Sequence, residues 1–516
     1  MPLRTSAQTS PSAPQPPPDG VDHEARVGRG AALLTAAKIW FIASGYAIEF
    51  TLPRVFAGAT DKLQGKELYG AYGFVTGLVA IFTALVYQGT SQAVARFVGR
   101  APEELGAVRR AAFRLQGWLV GGLALALALL APWIADAVYH QPALAAPIRY
   151  ASVVLLAFGF YAVTMGTLTG RQLFKRQALI DVAYSTLKVT CIVGSAIALG
   201  RILGWVESAM AGFALASVLV LAVSLILAPR AQARGSLPIR ELLRFQLFTM
   251  AFNLGVTLVA RLDLQMLQAF LGDQARSGDY KAGQAIAALP YQAVFAITFV
   301  LFPLASGAAA RDPDRIRTYA RESTRYALMI AALVALGFAG APRAAVTLLY
   351  PAEYASAGPA MRVLVLGYLA FSVFYIMAAV LTAAGRPQVS LALVAVVVAL
   401  QSVGGALLIP RFGGVGIAAA TAVAMAVGFV GAHLALVRWY GAGVDFGMAL
   451  RILAPAAAVA AGLNFLLEPR SHAVVTVVAF VVAGIAFVAL LFLTGALGRK
   501  DADRVRRIFG RGSQHA

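Results

Sequence analysis

Residues 473–496 read AVVTVVAFVVAGIAFVALLFLTGA, a run without a single Asp, Glu, Lys or Arg. About 20 consecutive apolar residues are enough for an α-helix to cross the hydrocarbon core of a bilayer. The run is continuously apolar rather than alternating, so it predicts a membrane-spanning helix and not a strand of a β-barrel. This stretch decides the fold, because runs of similar length and composition recur along the chain.

The composition of the whole chain agrees with this interpretation. Its 516 residues are 60% hydrophobic and 13% charged, whereas ordinary soluble domains contain about 25% charged residues. A water-soluble fold of this size would lack the polar surface needed to cover itself, so we expect no soluble catalytic domain. Hydropathy and breaking residues predict about fourteen spans, with limits near 31–56, 69–94, 113–138, 149–170, 178–200, 205–228, 243–271, 282–307, 325–349, 360–384, 388–409, 414–437, 449–467 and 473–496.

A faint internal repeat divides these spans into two halves. Tyr69-Gly-Ala-Tyr72 at the start of span 2 resembles Tyr280-Lys-Ala-Gly283 at the start of span 8, and each follows a charged outer loop. Chance similarity between Ala-rich helices is the alternative explanation, but transporters are commonly built from such repeats, with the binding site between them. We predict an all-α polytopic membrane protein with two six-helix lobes related by pseudo-two-fold symmetry. The expected divisions are a disordered cytoplasmic tail at 1–30, an N-lobe at 31–230, a C-lobe at 243–438, a terminal helix pair at 449–497 and a basic cytoplasmic tail at 498–516.

Basic residues predict the orientation of the chain. Arg and Lys cluster in alternate loops, at 96–114, 171–176, 230–244 and 311–325 and in the C-terminal tail, as the positive-inside rule requires of cytoplasmic segments. Both termini are then expected in the cytoplasm. The formal net charge of +20 is explained by the same rule, so we expect no nucleic-acid partner.

Charged residues inside the predicted spans are the candidates for function. Each costs about 2.5 to 3.5 kcal/mol at the middle of a span unless it faces a partner or a cavity. Asp263 lies two residues from Arg261 and cannot face it on one helix, so it must look toward the outer loop or another span. The charged residues are Lys38 and Glu49 in span 1, Asp181 and Lys188 in span 5, and Arg261 and Asp263 in span 7.

Two interpretations of these charges are open. The charges could pair across helices only to hold the bundle together. Alternatively, Lys38, Lys188 and Arg261 form a cationic cavity, and such cations attract a phosphate or pyrophosphate strongly in a low-dielectric site. Polar residues of spans 7 and 8 would line the same cavity, and the acidic residues would compensate charge or couple transport to protons or cations. The cavity set adds Asn253, Gln284 and Tyr291, and the acidic set is Glu49, Asp181 and Asp263.

The sequence carries no signature of catalysis or of a metal site. Cys191 is the single cysteine, and the five histidines are scattered without a close pair. No Gly-x-x-x-x-Gly-Lys loop or zinc-type His pair is present. We expect no catalytic residue, no metal and no bound cofactor.

Several motifs between about residues 245 and 425 carry a family resemblance. In pattern and order they resemble the lipid-linked oligosaccharide (polysaccharide repeat-unit) flippases of the multidrug, oligosaccharidyl-lipid and polysaccharide exporter superfamily. Asp263 belongs to this pattern, and the motifs are Gly278–Ala282, Leu289–Pro290, Leu301–Ser306, Leu348–Tyr354, Leu381–Arg386 and Leu408–Ala419.

The resemblance implies a non-enzymatic transporter of a bacterial inner membrane. Its central cavity would open alternately to each side, and undecaprenyl-diphosphate-linked oligosaccharide repeat units would cross from the cytoplasmic to the outer leaflet for surface polysaccharide biosynthesis. The implied partners are the polyprenyl-diphosphate-linked glycan, membrane lipids, and a polysaccharide polymerase with its export machinery. A proton or sodium gradient is the driving force that the buried acids allow.

Three other functions are weighed against this one. Peptidoglycan-precursor flippases of the superfamily usually carry an Arg-rich motif ending Arg-Asp early in span 1, where this chain has Lys38-Ile-Trp40. Cation-coupled multidrug antiporters are generally shorter at the C-terminus. A membrane-embedded glycan polymerase or ligase is expected to have a long outer loop with Arg and His, and the predicted outer loops are short.

Overall fold

The computed structural model describes residues 20–229, 239–295, 313–467 and 472–498. Within these ranges the chain is helical and forms no strand, which confirms the predicted all-α polytopic fold. The helices are α1 (Gly20–Ala59), α2 (Lys62–Thr83), α3 (Gly89–Arg100), α4 (Leu105–Trp133), α5 (Ala145–Gly170), α6 (Phe174–Leu203), α7 (Trp205–Leu227), α8 (Ile239–Leu271), α9 (Gln274–Ala287), α10 (Pro313–Gly340), α11 (Pro342–Leu349), α12 (Gly358–Ala383), α13 (Pro387–Tyr440), α14 (Phe446–Leu466) and α15 (Ala473–Leu493).

Among the described residues, 12 helices are long and apolar enough to cross a membrane. One of them, the 54-residue α13, bends at Gly413. At 1.5 Å per residue a straight helix of that length would reach about 80 Å, far beyond a bilayer, so α13 accounts for the two predicted spans 388–409 and 414–437. The predicted span 282–307 lies partly outside the described residues, as does the motif Leu301–Ser306.

Two predicted boundaries are wrong. Helix α1 already begins at Gly20, so residues 20–30 of the predicted tail are helical, because a hydropathy criterion registers only the apolar part of a helix. The predicted span 325–349 ends at Gly340, and Pro342 opens the separate helix α11. Proline cannot donate the backbone hydrogen bond that would continue α10, but it is well suited to a first helical position. Residues 1–19 and the tail from 499 onward lie outside the described residues.

Within each lobe, neighbouring helices pack through small residues, as is usual where lipid leaves little hydrophobic driving force between helices. In the N-lobe, a Cβ on Gly159 of α5 would lie 2.9 Å or less from Val120 of α4, and one on Gly166 would lie 2.8 Å from Val94 of α3. In the C-lobe, a Cβ on Gly367 of α12 would lie 2.7 Å from Ala422 of α13.

The terminal helices α14 and α15 pack on the outside of the C-lobe. Gly340 at the end of α10 lies against Ala460 of α14, where a Cβ would come within 3.0 Å of the Ala460 Cα. Arg362 of α12 donates from Nη2 to Asn464 Oδ1 at 2.6 Å and so connects α14 to the C-lobe.

An equivalent tyrosine–carboxylate hydrogen bond occurs in each lobe. In the N-lobe, Tyr69 at the start of α2 donates to Glu49 of α1 at 2.6 Å. In the C-lobe, Tyr280 near the start of α9 donates to Asp263 of α8 at 2.7 Å. Each acid belongs to the first span of its lobe and each tyrosine to the second. Tyr69 and Tyr280 are also the residues that align in the sequence repeat, so the repeat extends to contacts that the sequence does not show.

The lobes meet along α2 and α3 of the N-lobe and α8 and α9 of the C-lobe. We call the end of the bundle at which α1 ends the far end, and the opposite end the near end. Towards the far end, the backbones of Gly70 and Gly278 touch, since a Cβ on Gly70 would lie 2.8 Å from the Gly278 nitrogen. In the near half, Gln246 of α8 donates to Thr90 Oγ1 of α3 at 2.7 Å. Glycine at the far contact allows the closest approach of the two lobes.

Candidate functional site

An ion pair between the lobes lies at the centre of the candidate site. Lys281 Nζ of α9 lies 2.7 Å from Glu49 Oε1 of α1, and the Lys281 side chain is only 2% exposed. The other carboxylate oxygen of Glu49 accepts from Tyr69. The Tyr69 hydroxyl lies 3.0 Å from that of Tyr350, which follows α11 in the C-lobe. One partly buried carboxylate therefore connects the two lobes through two different side chains.

The sequence around Lys281 makes room for this arrangement. Lys281 is seven residues from the start of α9, about 10 Å into the bundle from the far end. Its aliphatic stem crosses Gly73 of α2, where a Cβ would lie 2.8 to 3.0 Å from the Lys281 Cγ, Cδ and Cε. Any side chain at residue 73 would displace the stem. The glycine thus allows Lys281 to reach Glu49.

Two of the predicted cations share this environment. Lys188 of α6 is within electrostatic range of Glu49, Arg261 and Lys281, and its ammonium lies 5.2 Å from the centre of the Phe213 ring. Within the part of the chain that the structure describes, Arg261 of α8 makes no ion pair and no hydrogen bond. Both side chains are partly exposed. Lys188, Arg261 and Lys281 form a cluster of three cations, which we call the cationic cluster, with Glu49 as an acid common to all three.

The third predicted cation is placed differently. Lys38 Nζ of α1 lies 2.8 Å from Asp181 Oδ2 of α6, and the Asp181 side chain is 4% exposed. This ion pair connects two helices of the N-lobe. Lys38 and Asp181 therefore already neutralise each other, whereas Lys188 and Arg261 have no comparable acidic partner among the described residues.

Of the two directions that its spacing from Arg261 allowed, Asp263 takes the one toward another helix, α9. Its carboxylate is fully buried and accepts from Tyr280, from Gln284 Nε2 at 2.6 Å and from the Leu264 backbone at 2.9 Å. Gln284 is thereby committed to Asp263, although its Oε1 is buried without a hydrogen bond. Asp263 lies inside a membrane span, and its carboxylate accepts hydrogen bonds but forms no ion pair with any described residue.

The remaining predicted residues lie on the C-lobe side. Asn253 donates to the Thr249 carbonyl of its own helix at 2.8 Å. Tyr291 belongs to an aromatic cluster in which its ring centre lies 5.1 Å from Phe371 and 5.5 Å from Tyr375. It is also within electrostatic range of Arg261. Tyr291 is therefore packed among aromatic rings, and the Asn253 side chain is hydrogen-bonded to the backbone of its own helix.

A second interlobe ion pair lies closer to the far end. Lys66 Nζ of α2 is 2.8 Å from Asp279 Oδ1 of α9, and Ser356 donates to the other Asp279 oxygen at 2.8 Å. Lys66 also donates to the Glu353 carbonyl at 3.3 Å. We call this group the outer pair and Glu49–Lys281 the inner pair. Both pairs hold the far ends of the lobes together.

Sequence reasoning missed both pairs. Asp279 and Lys281 fall between the predicted spans 243–271 and 282–307, so they were not counted among the charged residues inside spans. One signal could have identified Lys281: the repeat aligns it with Gly70, so the two lobes differ there by a single cation. Its partner Glu49 lies 232 residues away, and no local pattern reports such a contact.

The charges of the site bear on which kind of ligand it could hold. Among the described residues, no group of three or more His, Cys, Asp or Glu side chains could hold a metal ion. Arg and Lys in a partly desolvated position bind phosphate oxygens through charge-assisted hydrogen bonds. The surplus of cations over acids at the cationic cluster therefore favours an anionic group.

Comparison with known proteins places the chain in a family. Residues 35–308, more than half of the chain, match the model of the family described as polysaccharide biosynthesis protein. The chain belongs to this family. A curated relative, an uncharacterised membrane protein of Methanocaldococcus jannaschii, is 29% identical over 186 residues. That match spans 36% of this chain and 36% of the relative's own length.

Comparison with solved structures shows the fold. A structure of the lipid II flippase MurJ in an inward closed conformation superposes with a TM-score of 0.73, covering 89% of this chain and 99% of that chain at 12% identity. An inward-facing multidrug transporter of the MATE family gives a TM-score of 0.57, covering 79% of this chain and 98% of that chain at 17% identity. The chain therefore shares the all-helical fold of this lipid II flippase and of this multidrug transporter.

Proposed function

We propose that this protein is a flippase that carries undecaprenyl-diphosphate-linked oligosaccharide repeat units across a bacterial inner membrane. The near end, with both termini, would face the cytoplasm, and the far end would face the outer side. The cationic cluster carries the proposal, because Lys188, Arg261 and Lys281 lie within electrostatic range of one another. Among the described residues these three cations outnumber the two acids within their range, Glu49 and Asp263. A diphosphate supplies the negative charge that this cluster lacks.

The proposed roles follow from the contacts. Arg261 and Lys188 hold the diphosphate, since neither is neutralised by an ion pair within the described residues. Lys38 serves the N-lobe through Asp181 and reaches the cargo only if that pair opens. Tyr291 offers a ring face to a sugar, and Gln284 and Asn253 offer amides. Polysaccharide polymerase and export machinery remain proposed partners.

Coupling to a gradient would involve a buried acid. Glu49 and Asp181 are each committed to a lysine, whereas Asp263 is held by neutral donors. A carboxylate without a cationic partner is the acid that gains most from binding a proton or a sodium ion. We therefore propose Asp263 as the coupling residue.

A cation-coupled drug antiporter is less compatible with this site. An organic cation at the cationic cluster would meet Lys188 and Arg261, which have no ion pair among the described residues, and such like-charge juxtapositions cost several kcal/mol in a protein interface. An anionic cargo would instead be attracted by the positive charges of the cationic cluster. Electrostatics therefore favours the flippase over the antiporter.

The test uses cells that depend on this protein for surface polysaccharide. Arg261→Ala and Lys188→Ala are each expected to abolish or strongly reduce the polysaccharide, since a hydrogen bond to a charged group contributes about 1.5 to 3 kcal/mol. Arg362→Ala is the matched control. Arg362 is also a cation of a membrane span, but its side chain binds Asn464 of α14 and is not part of the cationic cluster. Full complementation by both cluster variants at normal expression would end the proposal.

A further inference from the structure

The inner pair lies where the proposed cargo must bind. Lys281 belongs to the cationic cluster, yet it is the member whose charge is already taken by Glu49. Its ammonium is buried, so it cannot exchange Glu49 for water without opening the bundle. An anion that reaches Lys188 and Arg261 also comes within range of Lys281.

Glu49 is held by a chain of contacts that ends in the opposite lobe. Its second oxygen accepts from Tyr69, and Tyr69 lies at hydrogen-bond distance from Tyr350. Tyr350 precedes the segment that carries Glu353 and Ser356 of the outer pair. A shift of Glu49 would therefore disturb the inner contacts that join the lobes at the far end.

We propose that Lys281 is a binding residue for the anionic headgroup and that it exchanges partners when the headgroup arrives. The diphosphate replaces Glu49 beside Lys281, Glu49 is released with Tyr69, and the far ends of the lobes separate. This inference rests on the proposed function and deepens it, because it names the residue by which the cargo opens the exit. No covalent bond changes; one ion pair is traded for another.

The repeat supports a dedicated role for this lysine. In the C-lobe, the acid and tyrosine equivalent to Glu49 and Tyr69 are Asp263 and Tyr280, and they bind each other without a lysine. Lys281 aligns with Gly70, so the lysine is an addition to one half of a duplicated arrangement. An ion pair needed only to fix the first helix of a lobe would be expected in both halves.

The experiment measures binding and gate opening separately. The protein, in lipid nanodiscs and with Cys191→Ser, receives spin labels at the far end through Leu63→Cys and Ala352→Cys, both at exposed residues. A second sample carries labels at the near end through Lys175→Cys and Gln388→Cys, also exposed. The probe is geranylgeranyl diphosphate, and geranylgeraniol, which lacks the phosphates, is its control.

Three outcomes are informative for the parent protein. The proposal expects the diphosphate, and not the alcohol, to lengthen the far-end distance. Binding of the diphosphate with an unchanged far-end distance would overturn the exchange and leave the proposed function intact. Binding no tighter than that of the alcohol would overturn the proposed function and the exchange together.

Variants of the inner pair should move affinity in opposite directions. Lys281→Gln is expected to weaken diphosphate binding about tenfold or more, because a charge-assisted contact is lost. Glu49→Gln is expected to strengthen it and to lengthen the far-end distance without probe, because Lys281 then has no competing acid. If Glu49 served only the fold, Glu49→Gln would weaken binding or leave it unchanged.

Matched controls separate cargo sensing from loosening of the contact. Lys66→Gln removes the outer pair, which does not reach the cationic cluster, and should lengthen the resting distance. It should raise diphosphate affinity by no more than the factor by which it shifts the closed-to-open ratio. Arg261→Gln should lower affinity but retain the full far-end response at saturating probe. If Glu49→Gln does not fold, Tyr69→Phe replaces it, with Tyr280→Phe as its control in the other lobe. An equal far-end distance in these two tyrosine variants would also refute the exchange.

Discussion

The contact between Gly70 and Gly278 allows a prediction worked from the geometry. A Cβ on Gly70 would lie 2.8 Å from the Gly278 nitrogen and closer still to the Gln274 carbonyl oxygen. All of these are backbone atoms, so no side chain can rotate away. Because carbon contacts are comfortable at about 3.5 to 4.0 Å, Gly70→Ala must separate α2 from α9 by about 0.7 Å or more.

The energetic consequence follows from packing. Inserting a methyl group into a filled contact costs about 1 to 3 kcal/mol. This cost applies to the far-closed arrangement and is relieved when the lobes part. The ratio of closed to open molecules is therefore expected to fall by about 5- to 150-fold.

The far-end label pair at residues 63 and 352 measures this ratio. Gly70→Ala should shift the distance distribution to longer values without any ligand. Gly121→Ala is the matched control, because Gly121 has nothing within 4 Å of its added Cβ. If Gly70→Ala retained the distribution of the parent and of Gly121→Ala, the glycine contact would not be what allows the lobes to close.

Three further predictions concern the fold. Asp181→Asn should lower thermal stability in detergent by leaving Lys38 half-buried without its acid, a loss of about 3 to 5 kcal/mol for a fully buried pair and less here. The double variant Lys38→Met with Asp181→Leu should recover it, and recovery of surface polysaccharide as well would exclude Lys38 from cargo binding. Gly413→Ala should cost about 1 to 3 kcal/mol, because the backbone there has φ 55 and ψ −131; an unchanged melting profile relative to Gly121→Ala would contradict this. Asn464→Ala should make the α14–α15 pair more sensitive to protease while transport persists, since about 1 kcal/mol of docking energy is lost at a partly exposed bond, and equal cleavage rates would argue against that contact.

The fold was largely predictable because the bilayer imposes it. Long apolar runs such as 473–496 leave few alternatives to spanning helices. The break between spans 11 and 12 was also readable, since Pro410 and Gly413 interrupt the run and the structure bends there. Hydropathy failed at α11, where an apolar segment after Pro342 forms a helix of its own.

The site was predictable only as far as local spacing reaches. The i, i+2 relation of Arg261 and Asp263 predicted that Asp263 faces away from Arg261, toward either the outer loop or another span. It could not indicate that Tyr280 and Gln284 would be the donors. Lys38 lies in the same helix as Glu49 and looks equally available in sequence, yet only the tertiary structure shows that Asp181 neutralises it. Contacts between residues hundreds of positions apart are set by how helices pack, which one sequence does not encode in any local pattern.

The two interlobe contacts differ in chemistry, so the two ends of the molecule should respond differently to ions in the surrounding fluid. Here, the contact toward the far end is ionic, while the near contact between Gln246 and Thr90 is neutral. Salt and divalent ions on the far side are expected to weaken the outer pair and to leave the neutral Gln246–Thr90 contact unchanged. The ion composition on each side of the membrane can therefore bias which end of the bundle opens.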